Sequence, residues 1–152
     1  MKYASITLAA ILFLSACGTP GPTATPKPSP TPTPGCDPKT VTALLEEIDA
    51  IIEEWDDTNS LANSTGRIAL SPVIQKMQDI KRKASELETD GTCVEAVACQ
   101  EAIVDYMELQ IDGYLLFMAQ KEDAEVTAKF NEASGAMDES IEAYRALAAY
   151  AP

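Results

Sequence analysis

Residues 18–35 read Gly-Thr-Pro-Gly-Pro-Thr-Ala-Thr-Pro-Lys-Pro-Ser-Pro-Thr-Pro-Thr-Pro-Gly, a tract that separates a short amino-terminal segment from the rest of the chain. Proline has no amide proton and a fixed φ, so a run this dense joins neither helix nor sheet. It should extend as polyproline-like chain. At ~3.1 Å per residue it reaches roughly 55 Å.

Beyond the tract, apolar residues recur at helical spacing between start and stop signals. Asp37-Pro38 places a capping carboxylate before a proline at the first helical position. Val41, Leu44, Leu45, Ile48, Ile51, Ile52 and Trp55 follow at intervals of three and four. This predicts a first helix from Pro38 to about Thr58, or as far as Ala62. Asn59, Asn63, Ser64, Thr65 and Gly66 read as the turn after it. Ser71-Pro72 repeats the start signal, and Val73, Ile74, Met77, Ile80, Ala84 and Leu87 carry a second helix to near Glu88. Asp90-Gly91 breaks it. Thr92-Cys93-Val94-Glu95 fits a capping box for a third helix reaching about Gln120. After Lys121-Glu122-Asp123, a fourth carries Val126, Phe130, Ala133, Met137, Ile141, Tyr144 and Ala148. No run alternates as a strand does. The expected fold is all-α: an antiparallel up-down four-helix bundle over residues 36–152.

The amino terminus has its own grammar. Lys2, an apolar run from Ile6 to Leu14 and small residues after it make a secretory signal peptide over residues 1–16. The run is too short to span a bilayer, which takes ~20 residues. Leu14-Ser15-Ala16-Cys17 resembles the lipobox of bacterial lipoprotein precursors, a resemblance confined to residues 1–17. It implies cleavage before Cys17, a diacylglyceryl thioether on Cys17, and usually acylation of the new amino terminus. The chain would then hang from the cell membrane or outer membrane on its extracytoplasmic side, with residues 17–35 as lipidated cysteine and linker.

All 24 acidic residues and ten of the eleven basic ones lie after Cys17, so the mature chain carries 10 − 24 = −14. Nucleic acid, which is bound by cationic side chains that displace counterions, is disfavoured as a partner. Attraction to an anionic lipid surface is disfavoured for the same reason. A cationic or protein partner suits the charge better. There is no histidine, which removes the commonest general base and the commonest zinc, copper and haem ligand.

With Cys17 committed to lipid, three cysteines remain, and export permits disulfides. In an up-down bundle the starts of the first and third helices lie at one end. Cys36 and Cys93 sit at those starts, so they are the expected pair, with Cys99 free and buried. The rivals are Cys36–Cys99 and Cys93–Cys99; the latter is hard if both are helical, since six residues put them ~9 Å apart along the axis.

The first helix is the most biased segment, with Asp37, Glu46, Glu47, Asp49, Glu53, Glu54, Asp56 and Asp57 against Lys39 alone. Asp57-Thr58-Asn59 begins a calcium-loop spacing but continues into Leu61 and Ala62, so the motif fails. The plainer reading is a solvated face opposite Lys76, Lys81, Arg82 and Lys83. Met77, Met107, Met118 and Met137 read as core filling rather than copper ligands. Tyr106, Tyr114, Phe117, Phe130 and Tyr144 read as core with hydroxyls at its rim, or as the lining of an apolar pocket. No nucleophile has a visible base. The expectation is a binding or scaffolding lipoprotein with no catalytic residue, metal or cofactor. The alternative is a small-ligand or cation receptor, with its site between the third and fourth helices or along the acidic first.

Overall fold

The computed structural model describes residues 35–152 apart from residue 90. Residues 1–34 lie outside it, and with them the signal peptide, Cys17 and nearly all of the linker. Four helices follow in order: α1 Pro38–Ser64, α2 Ser71–Ser85, α3 Val94–Met118 and α4 Asp123–Ala148, with a 3-10 turn at Arg67–Ala69. No strand occurs among the described residues. The fold is an all-α bundle, as the stripes predict.

Asp37 caps α1, its carboxylate accepting the Thr40 amide at 3.0 Å. That bond holds the Asp37 carboxyl below its usual range. α1 then runs past its expected end to Ser64. Of the residues read as a turn, Asn59, Asn63 and Ser64 are helical because each finds a partner there, whereas Thr65 is the extended C-cap and Gly66 leads into the 3-10 turn. The Ser64 and Thr65 hydroxyls donate to carbonyls one turn back, at 3.0 and 2.6 Å from Leu61 O. Asn59 and Asn63 meet the Tyr114 hydroxyl of α3, each at 2.7 Å. A phenol has one proton, and Asn59 Oδ1 already takes Gln110 Nε2 at 3.2 Å. Tyr114 therefore donates to one of the two amide oxygens, Asn59 Oδ1 or Asn63 Oδ1, at a time.

α2 stops at Ser85, short of Glu88. Its last carbonyls are met from α3, where Gln100 Nε2 lies 3.0 Å from the oxygens of Ala84, Ser85 and Leu87. A helix end whose orphan carbonyls are satisfied this way has no need of another turn. α3 begins one residue later than the capping box implies, with Cys93 as N-cap and no side-chain capping bond from it. It closes at Met118 with Gln120 at φ +56°, a left-handed residue. Gln120 N donates to Phe117 O at 3.2 Å and Lys121 N to Leu116 O at 3.1 Å, a Schellman closure.

Cys36 and Cys93 form a disulfide with Cα atoms 4.6 Å apart, and Cys99 is free and buried. The two rival pairings are closed. A bridge spanning 57 residues contributes about 4 kcal/mol by the chain-entropy argument. Beside it a Cβ on Gly35 would strike the Thr92 carbonyl, so glycine lets the incoming chain pass. The core centres on Trp55, Met77, Ile80, Cys99, Met107 and Leu147, all fully buried. No helix among the described residues is long and apolar enough to cross a membrane.

The helices are not evenly spaced. α4 lies along α3 over its length but touches α1 sparsely. The reason is side-chain size. α4 turns Ala133 and Ser140 inward, with Ala136 and Ala143 beside them. On α3, a Cβ at Gly113 would stand 2.6 Å from the Phe130 ring, so glycine admits that ring against the helix backbone. Small residues bring two helices close. α1 faces the core instead with Leu44, Leu45, Ile48 and Trp55, which hold its axis away.

Candidate binding cleft between α1 and α4

The uneven spacing opens a cleft of about 410 Å³ along the α1/α4 seam. Ile52 of α1 and Ile103 of α3 give it an apolar floor, and α4 supplies Met137, Ile141 and the edge of Ser140. Met137 and Ile141 are among the exposed large apolar residues, so the wall they form is open to solvent. Met77 and Met107 are core, as expected, but Met137 is not.

Two phenols and three charges set the polarity. The Tyr144 hydroxyl donates to Asp49 Oδ1 at 2.8 Å, the side-chain bridge across the seam. That bond, with burial and the Asp49 charge behind it, raises the Tyr144 pKa. Tyr106 stands edge-on to Trp55, ring centroids 5.9 Å apart. Burial lifts the Tyr106 hydroxyl above its ordinary pKa; the Trp55 N–H works against this and the Asp56 carboxylate adds to it. The approach of the indole N–H falls short of hydrogen-bond geometry, and Trp55 Nε1 is buried with no hydrogen-bond partner among the described residues. Asp49 and Asp56 line the α1 side of the cleft, and Arg145 of α4 is the cation there.

The acidic α1 thus has two differently treated edges. Glu54 on one edge meets α2, with Lys83 Nζ at 2.7 Å and Lys76 Nζ at 3.9 Å. The other expected cations go elsewhere: Lys81 to Glu108 of α3 at 3.1 Å, and Arg82 to Asp79 and Glu86 of its own helix. The opposite edge, with Asp49 and Asp56, borders the cleft. Asp57-Thr58-Asn59 lies inside α1, with Thr58 buried and its hydroxyl on Glu54 O at 2.8 Å, so these residues form no loop.

The α3/α4 seam, the other expected site, is closed by the Gly113–Phe130 contact, and Tyr114 and Phe130 pack edge-to-face with centroids 5.1 Å apart. What remains there is a shallower groove of about 580 Å³ near the α3–α4 turn, lined by Leu115, Leu116 and Ala119 beneath charged residues. Its cation, Lys129, is bound to Glu132 at 2.6 Å. Only two helices form it and no aromatic ring lines it, so the α1/α4 cleft is the better-built site despite its smaller volume.

Cys36, Cys93 and Glu95 bring three potential ligand atoms together. The two sulfurs are joined to each other and offer no thiolate. The 3.3 Å approach of Cys36 Sγ to Glu95 is for the same reason a contact, not a hydrogen bond. Glu95 instead receives the Tyr150 hydroxyl at 2.8 Å, which ties the end of the chain to the start of α3.

The cleft is not visible in the sequence, although its acidic residues, Met137 and both tyrosines each stand out there. The small-residue face of α4, read together with the large face of α1, is the signal that points to it. No known protein family, curated protein or solved structure matches the chain.

Proposed function

We propose that this chain is a lipid-anchored extracytoplasmic binding module, without catalytic function, that meets its partner or ligand in the α1/α4 cleft. The cleft carries the reading: three helices build an apolar concavity with a few polar groups at its rim, at a volume typical of ligand sites. The lipobox resemblance at Leu14–Cys17 supports the anchor, and the proline tract would hold the bundle clear of the lipid surface.

Photo-crosslinking in intact envelopes tests this. A benzophenone side chain is placed at Ile141, in the cleft, or at Ile68, which is 98% exposed on a remote turn. The Ile141 position is expected to give a discrete adduct that the Ile68 position lacks, and Cys17→Ser to abolish it by releasing or misrouting the chain. The same pattern from both positions would overturn the reading.

A further inference from the structure

The lining of the cleft narrows what it accepts. Ile52, Ile103, Met137 and Ile141 call for an apolar body. The charges call for a cation: two carboxylates, Asp49 and Asp56, face one guanidinium, Arg145. Asp56 forms no ion pair among the described residues. Asp49 is engaged by the Tyr144 hydroxyl, a neutral donor that an ammonium can join or displace. Tyr106 and Tyr144 add rings whose faces attract cations. An anion would meet both this rim and a chain of net charge −13. A single metal ion does not fit, because Asp49 and Asp56 are two turns apart, ~10 Å along the axis, whereas calcium holds its ligands at about 2.3–2.6 Å.

We propose that the α1/α4 cleft binds an organic monocation with an apolar body, an amphiphilic amine or quaternary ammonium. This rests on the reading of the cleft as the binding site, and the test separates the two. The full chain is titrated with 4-phenylbutylammonium, 4-phenylbutanol and 4-phenylbutyrate, which share one apolar body and differ in head charge. Binding is followed by methyl NMR of Ile103, Met137 and Ile141. The ammonium is expected to shift these methyls and to bind about tenfold more tightly than the alcohol, with the carboxylate weakest. Asp49→Asn and Asp56→Asn, both at exposed positions, should each weaken the ammonium about threefold or more and leave the alcohol unchanged. Equal affinity for ammonium and alcohol would overturn the ligand class while leaving the cleft as the site. No methyl shift with any probe at millimolar concentration, or unchanged binding in the cleft-filling Ile141→Trp, would overturn both.

Discussion

Cys99 shows how burial sets chemistry at a single residue. It is fully buried in the core, and burial alone pushes its thiol pKa up to about 11. At pH 8 roughly one molecule in a thousand then carries the thiolate, the reactive form. Iodoacetamide should leave Cys99 unmodified in the native chain at pH 8 and label it in denaturant, read by mass; labelling at equal rates would contradict its burial. Tyr106 and Tyr114, raised first by burial, and Tyr144, raised first by its bond to Asp49, share this direction. A folded pKa above the unfolded value means stability that is intact below the unfolded value and lost as pH rises through the folded one. These four groups therefore leave stability flat from neutrality to about pH 8 and erode it above about pH 9–10. Thermal midpoints across pH 7–11 check this; a midpoint that rises above pH 10 would contradict it.

At the scale of the elements, helix ends and helix spacing are decided by partners that lie far off in sequence. The apolar stripes made all four helices and their order legible, because 3.6-residue periodicity is local. The up-down order in turn made Cys36–Cys93 legible, since it sets those two starts at one end. The extension of α1 was not legible: Asn59 and Asn63 have turn chemistry unless a phenol arrives from α3. Nor was the early stop of α2, which depends on Gln100 from α3. Two substitutions test this level. Gln120 occupies a left-handed position that glycine adopts without a Cβ penalty. Gln120→Gly should stabilise the chain by about 0.5–1 kcal/mol in denaturant melts, and a loss would contradict the Schellman closure. Gly113→Ala removes a poor helix former, worth about 1 kcal/mol of gain in an exposed helix. Here the added Cβ meets the Phe130 ring at 2.6 Å, and the overpacking should dominate, with a net loss of about 1–2 kcal/mol. A net gain would mean that α3 and α4 are not so closely packed.

At the scale of the molecule, the parts serve one arrangement. The disulfide joins the starts of α1 and α3 where the linker enters, so pull from a tether would meet a covalent cross-link before it reached the helices. Tyr150 fastens the chain end to Glu95 at that same end. The cleft lies farther along, between residues 49 and 56 of α1 and residues 137 and 145 of α4, about 20–30 Å from the disulfide on the helix rise. The sequence marked the acidic residues but not the cleft, because only the packed bundle shows that α4 sits close to α3 and away from α1.

The state of the four cysteines is read in one measurement, non-reducing peptide mass mapping of the protein produced from its full-length chain and extracted from the cell envelope. The predicted result is an amino-terminal peptide that begins at Cys17 with diacylglycerol attached, a Cys36–Cys93 linked peptide and Cys99 as a free thiol. An unmodified peptide running through Cys17, or Cys99 in a linked peptide, would contradict it.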